Sequence, residues 1–313
     1  MERPLPLVTI GASNYNNAQY VIETLESIKA QTYQNIELIV IDDCSTDNSP
    51  ALIKEWLVDY NKPYRFIENK VNSGLPAVLN LLISNAKGKY ISEVATDDIL
   101  MPDKIRIQVN ILEGASADVG GVYSDAYIIN EKSELSESQF LKLKGYKQPP
   151  SGNIYEDILS GNFWFHYSTA MVKTECYKSV GPFDLNLIAE DVDMLLRLSR
   201  SFKFLFSDYV SEKYRVRSNS LTKITNWYPS QLQICAKNLE YSKTALWRMD
   251  STAASAYFEG DSETLALLPK YKHQSAYIRF IILLRNMHVP KTIGKVLLLL
   301  CRMYLRIYRT FVG

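Results

Sequence analysis

The most informative segment of this chain reads Ile36-Glu37-Leu38-Ile39-Val40-Ile41-Asp42-Asp43-Cys44-Ser45-Thr46-Asp47. Apolar side chains dominate its first half, which predicts a buried strand. The strand pattern ends abruptly in two carboxylates followed by hydroxyl side chains, and such residues favour turns. Because ligands of open α/β sheets bind beyond the carboxyl ends of the strands, this segment predicts a ligand site as well as a strand.

The sequence on either side alternates between strand and helix patterns. Further apolar runs that predict strands lie at 7–10, 64–67, 90–95 and 119–129, with shorter ones at 204–206 and 213–216. We therefore expect an α/β fold with a Rossmann-like, mostly parallel central sheet flanked by helices. Residues 131–150 are polar and charged and predict a mobile loop. From about Trp227 onward the pattern predicts a C-terminal helical extension.

Composition and charge limit the class of protein. The 313 residues are 47% apolar, with 35 Lys and Arg against 34 Asp and Glu, which is ordinary for a globular protein and excludes a disordered chain. The four cysteines form no CxxC pair, which predicts reduced thiols and no structural zinc. The three histidines have neither HxxxH nor HExxH spacing, which disfavours a histidine-based metal site. Without a secretory leader pattern or an apolar run of membrane-spanning length, we expect a cytoplasmic protein.

A second acidic pair, Asp97-Asp98, follows the predicted strand at 90–95 just as Asp42-Asp43 follows its own strand. Carboxylates that meet at one sheet edge repel each other unless a cation joins them, and a divalent cation with a diphosphate is one solution. Solvated turn acids are the alternative interpretation. A dinucleotide-binding fold is disfavoured, because the turn after the first strand has one glycine, Gly11, where that fold needs Gly-x-Gly-x-x-Gly.

A third acidic cluster, Glu190-Asp191-Val192-Asp193, begins a predicted helix. Helical spacing places Asp191 on the inward-facing stripe with Leu195. The same spacing places Asp193 with Arg197 on a face that we expect to be exposed and ion-paired. An inward carboxylate at a helix start is either a cap or a positioned general base, and the residues alone leave both interpretations open.

These motifs together resemble those of inverting family 2 glycosyltransferases, which have the GT-A fold. The resemblance covers about residues 5–221. The segments that carry it are Ser13-Asn14-Tyr15-Asn16, residues 31–47, Asn72-Ser73-Gly74 with Asn80, Thr96-Asp97-Asp98, and Gly181-Pro182-Phe183-Asp184 with Glu190-Asp191. The resemblance implies a GT-A catalytic domain over 1–224, with a donor half to about 125 and an acceptor half over 126–224, followed by a helical region over 225–313.

The resemblance also implies a reaction. A sugar would pass from a nucleoside-diphosphate sugar, UDP-linked in our expectation, to a hydroxyl of a glycan or lipid-linked acceptor in cell-surface polysaccharide synthesis. The anomeric configuration would invert, and Mg²⁺ or Mn²⁺ would assist. By this resemblance Tyr15, Asp43, Asp97 and Arg217 bind the donor, Asp98 ligates the metal, Asp191 is the general base, and Trp164, His166 and Glu190 face the acceptor. A sugar nucleotidyltransferase and a non-catalytic binding module are the alternatives.

Three positions depart from the usual pattern of the family. Leu79 stands where members often have arginine, and Ala95 stands where many have a further Asp. Arg217 occupies the histidine position of the family's Y-R-x-H-x-x-S segment, where it either binds diphosphate directly or marks weaker metal dependence. Trp164 and His166 also have an alternative interpretation, a buried aromatic strand with a hydrogen-bonded histidine.

The C-terminal end of the chain is basic. After Glu263 there are nine basic residues and no acidic one, whereas the part up to Glu263 has 26 basic and 34 acidic residues. If 291–312 is a helix, one narrow stripe holds five basic residues, Lys291, Lys295, Arg302, Arg306 and Arg309. Such a helix predicts peripheral attachment to the anionic inner membrane face. The alternative is packing on the body or on a second copy in a homodimer, and the acidic body disfavours nucleic acid as a partner.

Overall fold

A computed structural model of the protein describes residues 4–218 and 226–312, with side chains as far as Leu305. The chain divides into two compact units, Met1–Lys223 and Ile224–Gly313. The side chains of Arg306 and Arg309, on the predicted basic stripe, lie outside the described residues.

The first unit is built on one curled, mixed sheet. Its strands are β1 (Val8–Asn14), β2 (Ile36–Asp42), β3 (Tyr64–Glu68), β4 (Tyr90–Ala95), β5 (Ile99–Leu100), β6 (Val119–Ile129), β7 (Leu135–Gln139), β8 (Met171–Lys173) and β9 (Lys203–Arg215). Their order is β3-β2-β1-β4-β8-β6-β9-β5, and β7 pairs with β6. The first four strands are parallel and β6 is parallel to β9, whereas β5, β7 and β8 are antiparallel to their neighbours. The expected α/β fold is confirmed.

Helices return the chain between the parallel strands. The helices of this unit are α1 (Val21–Lys29), α2 (Ser49–Val58), α3 (Leu75–Asn85), α4 (Lys104–Gly114), α5 (Phe140–Leu143), α6 (Tyr155–Ser160), α7 (Thr174–Val180) and α8 (Glu190–Ser201). The turn before α3 requires glycine, because Gly74 has a φ of 81°, which residues with a Cβ rarely adopt. Ile10, Leu25 and Leu38 are fully buried where β1 and β2 meet α1, and they anchor the core beneath the site.

The register of the parallel strands β1, β2 and β4 aligns their carboxyl ends at the same edge of the sheet. Ser13 pairs with Ala95, and Asn14 pairs with Asp42. The acidic pairs Asp42-Asp43 and Asp97-Asp98 therefore leave the sheet at the same edge, which is where ligands of α/β sheets bind.

One expectation about the acceptor half was wrong, and another was incomplete. Residues 131–150, predicted as a mobile loop, contain β7 and α5, and β7 folds back onto β6 through a turn at 130–134. Because β7 is a polar strand with mostly exposed side chains, its sequence shows no apolar alternation. The two short strand patterns at 204–206 and 213–216 belong to one strand, β9. Its polar middle, residues 208–211, lies at a register shift and has no partner residues in β6, but Ser124 Oγ donates to Ser211 Oγ over 2.5 Å in the interior.

The second unit is helical, as predicted. Its helices are α9 (Tyr228–Lys237), α10 (Lys243–Glu259), α11 (Ser262–Leu267), α12 (Ala276–Asn286) and α13 (Lys291–Val312). Met249, Ile278 and Leu298 are buried in a separate apolar core of this unit. No helix among the described residues combines the length and the apolarity that crossing a membrane requires.

The terminal helix α13 has two apolar faces rather than one. Leu298 is 1% exposed and packs in the core of its own unit, with Leu297, Cys301 and Leu305 beside it. Lys295 is exposed, whereas Arg302 is half-buried and its guanidinium lies 5.3 Å from the Tyr277 ring. On the other side of α13, six apolar residues are each more than half exposed, and we call them the outer apolar face: Ile293, Val296, Leu299, Leu300, Met303 and Tyr304.

Candidate active site

Neutral side chains join the carboxyl ends of β1, β2 and β4. Asn14 Nδ2 donates to Asp42 Oδ1 over 2.6 Å, and Asn14 Oδ1 accepts from Thr96 Oγ1 over 2.6 Å. Thr96 Oγ1 in turn accepts from Asn17 Nδ2 over 3.0 Å. Asp42 also accepts from the backbone and hydroxyl of Ser45 and is only 2% exposed. Asp42 therefore stabilises the turn, and the two acidic pairs are linked through amides and a hydroxyl.

An ion pair lies at the open edge of the sheet. Arg217 Nη2 is 3.0 Å from Asp97 Oδ2, and the side chains are 27% and 14% exposed. Arg217 Nη1 donates to Asn17 Oδ1 over 2.9 Å. Within the described part of the chain, Arg217 Nε is buried and has no hydrogen-bond partner. Two residues predicted to bind the donor thus lie together, and the guanidinium has remaining donors suited to phosphate oxygens.

Asp43, predicted to contact the nucleotide base, is 4% exposed and binds the loop before α3. It accepts from Asn69 Nδ2 over 2.8 Å and from the backbone N–H groups of Ser73 and Gly74 over 2.9 and 2.8 Å. Burial alone would raise the pKa of Asp43, but these hydrogen bonds lower it. Tyr15, by contrast, is 47% exposed where β1 ends and is open to stacking.

Asp98 lies behind Asp97, on the interior side of the sheet edge. Its Oδ1 accepts from the backbone N–H of Arg215 over 2.7 Å, and its Oδ2 is 3.3 Å from His166 Nε2. The Arg215 side chain donates to the Asp97 carbonyl over 2.7 Å and to Glu23 over 2.6 Å. Asp98 is therefore held by β9 and the interior, while Asp97 faces outward.

Asp98 belongs to a group of five interior residues, Asp98, Lys104, His166, Ser168 and Glu212, which we call the inner cluster. Glu212 Oε2 is 3.0 Å from Lys104 Nζ, and neither side chain is exposed. Glu212 Oε1 accepts from Ser168 Oγ over 2.7 Å and is 3.3 Å from His166 Nε2. Asp98, His166 and Glu212 each offer one ligand atom within 4.8 Å of the other two, which makes a candidate metal site. This candidate metal site could not be predicted from motif spacing, because its residues come from three distant segments of the chain.

Charge sets the protonation of the inner cluster. Burial alone would lower the pKa of His166, but hydrogen bonds and attraction from Asp98 and Glu212 raise it well above the usual 6.5. Burial alone would raise the pKa of Glu212, but Lys104 and then His166 lower it to about 2. Burial, together with repulsion from Asp97, raises the pKa of Asp98 to about 7. Metal binding at this cluster would require His166 to release the proton of its coordinating nitrogen, because only a neutral imidazole is a ligand.

The predicted base lies in the first turn of α8. Asp191 is half-buried, and its Oδ1 accepts from the Val192 N–H over 2.8 Å. Burial raises the pKa of Asp191. Burial and the charge of Asp191 raise the pKa of Glu190, which is 7% exposed, to about 8. Both carboxyl groups therefore bind protons more readily than exposed acids do.

Asp193 contradicts the expectation of an exposed face, because it is 2% exposed. The predicted ion pair is present, with Arg197 Nε 2.9 Å from Asp193 Oδ2. It is buried because Arg197 also donates to three carbonyls in the turn at 180–182 that precedes α8. Asp193 therefore positions Arg197 for the turn.

Two contacts shape the region that the sequence predicts to face the acceptor. Asn80 Nδ2 donates to the Phe183 carbonyl over 3.0 Å, and the Phe183 N–H donates to Asn80 Oδ1 over 2.7 Å. This pair of hydrogen bonds ties α3 to the segment before α8. In the aromatic segment Phe163 and Phe165 are buried, whereas Trp164 and His166 are half-buried. The segment is not a strand, but the buried aromatic side chains and the hydrogen-bonded His166 agree with the rest of that alternative interpretation.

Comparison with known proteins decides the family. The sequence model of glycosyl transferase family 2 matches residues 9–170, which is about half of the chain. This protein is a family 2 glycosyltransferase. It is 31% identical over 220 residues to an uncharacterized glycosyltransferase of Rickettsia felis, a match that covers 70% of this chain and 35% of the relative. The chain thus spans about a third of the length of that relative.

Solved structures share the fold of this glycosyltransferase. Staphylococcus aureus TarS residues 1–349 in complex with UDP-GlcNAc match with a TM-score of 0.58 at 14% identity, covering 90% of this chain and 92% of that one. A mannosyltransferase from Pyrobaculum calidifontis in complex with GDP-Man and Mn²⁺ matches with a TM-score of 0.56 at 19% identity, covering 91% and 88%. These likenesses establish the GT-A fold.

Sequence reasoning missed several residues of this glycosyltransferase's site. Lys104, Ser168 and Glu212 in the inner cluster were not singled out, and neither was Asn17. One signal was available for Lys104. It lies on the stripe of α4 that also carries Gln108, four residues later, and both are buried. A lysine on a buried helix stripe requires a partner, because an unpaired buried charge is costly.

Proposed function

We propose that this glycosyltransferase moves a sugar from a nucleoside-diphosphate sugar, UDP-linked, to a hydroxyl of a glycan or lipid-linked acceptor in cell-surface polysaccharide synthesis, with inversion. The observation that carries the proposal is the Asp97–Arg217 ion pair, which lies partly exposed at the sheet edge where ligands bind. Arg217 has donors for diphosphate oxygens, and exposed Tyr15 offers a stacking surface for the base. The nucleotide sugars bound by TarS and the mannosyltransferase support this donor class.

The proposed reaction is one in-line displacement. The acceptor oxygen forms a bond to the anomeric carbon while the bond from that carbon to the diphosphate oxygen breaks. Asp191 takes the proton of the acceptor hydroxyl, and Trp164, His166 and Glu190 line the acceptor side. A carboxylate with a raised pKa is a better base near neutral pH, which is the direction that burial gives Asp191.

The inner cluster fits a divalent metal. Asp98, His166 and Glu212 would hold Mg²⁺ or Mn²⁺, and an imidazole among the ligands favours Mn²⁺, because Mg²⁺ prefers oxygen ligands. The remaining oxygens are already oriented, since Asp98 Oδ1 accepts from Arg215 and Glu212 Oε2 pairs with Lys104. A bound ion would neutralise negative charge on the departing diphosphate.

Transfer assays with and without Mn²⁺ test the proposal. Asp191→Asn should lower transfer by about 10²–10⁴-fold while leaving nucleotide binding intact. Asp98→Asn should abolish the response to Mn²⁺, and Mn²⁺ binding measured by electron paramagnetic resonance should weaken with it. The matched control is Asp103→Asn, because Asp103 is a partly exposed acid in the same segment. Full transfer by the Asp191 variant, or an unchanged Mn²⁺ response in the Asp98 variant, contradicts the respective role.

We further propose that the protein is cytoplasmic and attaches peripherally to the inner membrane face through α13. The outer apolar face supplies insertion, and exposed Lys295 lies beside it, whereas Lys291 lies on the side of Leu298 with its Nζ next to Gly260. Apolar insertion combined with basic residues favours an anionic lipid surface, with each basic side chain near the surface contributing about 1 kcal/mol.

Co-sedimentation of the full chain with vesicles containing phosphatidylserine tests this attachment. The double change Leu299→Glu with Leu300→Glu should release the protein, whereas Leu143→Glu, at an equally exposed leucine of the other unit, should not. Substitution is preferable to truncation because Leu298 packs in the core. Undiminished binding of the double variant contradicts membrane attachment. A dimeric wild type that becomes monomeric in the double variant favours the homodimer instead.

A further inference from the structure

Glu93 is an acid on the face of strand β4 that is directed towards the candidate active site. Successive strand residues alternate between the two faces of a sheet. Glu93 and Ala95 are partly exposed, and so is Asp97 just beyond the strand, whereas the residues between them are buried. Along this face the Asp97–Arg217 ion pair is therefore followed by the small Ala95 and then by Glu93.

Glu93 is a partly buried carboxyl, and the structure as described gives it no ion pair with a lysine or arginine, although His166 lies near enough to act on its charge. Ser13 Oγ donates to Glu93 Oε1 over 3.0 Å. Beside the carboxyl is a recess of about 10 Å³, lined additionally by Leu79, Leu82, Ile83, Ile91, Tyr167, Tyr177 and Phe183. The hydroxyls of Tyr167 and Tyr177 are bonded to each other over 2.8 Å. None of these lining residues neutralises the acid, and the recess has room for about one water-sized group.

Glu93 also interacts electrostatically with Glu190, His166 and Asp98. Its charge contributes to the raised pKa of Glu190, and His166 and Asp98 act on its own pKa. Burial, opposed by the Ser13 hydrogen bond, raises the pKa of Glu93 to about 7. Near neutral pH the carboxyl can therefore both donate and accept a hydrogen bond. If Glu93 had only a structural role, the hydrogen bond from Ser13 would be sufficient.

We propose that Glu93 binds one hydroxyl group of the donor sugar and thereby selects the sugar. This inference rests on the proposed function. A sugar whose diphosphate lies at Arg217 would extend along β4 towards Glu93, and Ala95, the residue of this face between them, has only a methyl side chain. The water-sized recess accepts a hydroxyl and excludes a bulkier substituent at that position of the ring.

Three variants of the full chain test this inference. Glu93→Leu removes both hydrogen-bonding functions, and Glu93→Gln retains them at nearly the same shape. Glu37→Gln is the matched control, because Glu37 is also a partly exposed acid that accepts from a β1 hydroxyl, Thr9, but at the opposite end of the strands. For each variant we would measure binding of the nucleoside diphosphate alone, binding of nucleotide sugars, and kcat/KM with monodeoxy donor analogues.

The expected result is specific to the sugar. Glu93→Leu should lower kcat/KM for the complete donor by about 10–100-fold, the range of a hydrogen bond to a charged or strongly polar group. Binding of the nucleoside diphosphate alone should be unchanged. One monodeoxy donor should be used equally well by wild type and Glu93→Leu, and Glu93→Gln should lie between them.

Two different failures can be separated. This inference is wrong if wild type transfers sugar but the Glu93 variants behave like Glu37→Gln. It is also wrong if every deoxy donor loses activity additively with Glu93→Leu. In both cases the proposed function stands. If wild type binds no nucleotide sugar, both are wrong.

Discussion

The buried ion pair between Lys104 and Glu212 allows the sharpest test of how the site is held together. Lys104 Nζ and Glu212 Oε2 are 3.0 Å apart, and both side chains are fully buried. At an effective dielectric constant of about 20, two unit charges at that distance attract by about 5.5 kcal/mol. Desolvation of the two ions offsets most of this attraction, so the pair itself contributes little net stability.

Removing one partner is different, because the other charge stays buried without compensation. Glu212→Gln keeps the shape but removes the negative charge and leaves one acceptor oxygen where Lys104 and Ser168 now bind one each. We expect a loss of about 3–5 kcal/mol in the free energy of unfolding. For a unit of this size that corresponds to a fall in Tm of about 6–20 °C. Lys104→Met with Glu212→Leu, which removes both charges, should be less destabilising than either single change.

Thermal and denaturant unfolding of the full chain in chelating buffer would measure these losses. The control is Glu68→Gln, which breaks the exposed pair of Lys54 and Glu68, 2.8 Å apart, and should cost less than about 1 kcal/mol. The pKa of Glu212 is lowered to about 2, so its contribution is present above its unfolded pKa of about 4.5 and is lost as pH falls toward 2. A loss from Glu212→Gln no larger than the control, or one that grows below pH 4, would refute the reasoning.

Three other changes have expected outcomes. Asp193→Asn should lower stability by about 1–3 kcal/mol, because the partly buried Arg197 loses its charged partner, and unfolding curves compared with those of Asp191→Asn would show it. Asn80→Ala should lower stability by a similar amount and reduce transfer, since both hydrogen bonds to the Phe183 backbone are lost. The pKa of Glu190 is raised to about 8, so the folded state binds its proton more tightly and wild-type stability falls as pH rises from about 4.5 to 8. Glu190→Gln should remove that part of the slope in denaturant titrations at pH 5 and 8, and an unchanged slope would contradict it.

The features of this protein that depend on neighbouring residues in the chain could be predicted without the structure. Apolar runs ending in acids, with helices between them, predict the parallel strands β1 to β4 and the shared edge where Asp42-Asp43 and Asp97-Asp98 emerge. The motifs around these strands were also enough to indicate the family. These features can be predicted from the sequence because the periodicity of apolar residues in strands and helices involves residues only a few positions apart.

The tertiary structure was needed to show which carboxylates lie at the open edge of the sheet and which point into the interior. Asp97 faces outward and Asp98 inward because β9 donates a backbone N–H to Asp98, from a residue 117 positions later in the chain. Likewise Asp193 is buried because Arg197 reaches the carbonyls of the preceding turn, although helical spacing alone predicts an exposed face. The inner cluster joins Lys104 to Glu212 across 108 positions. Burial of a polar group depends on which distant segments pack against it and satisfy it, and local sequence periods contain no information about those segments.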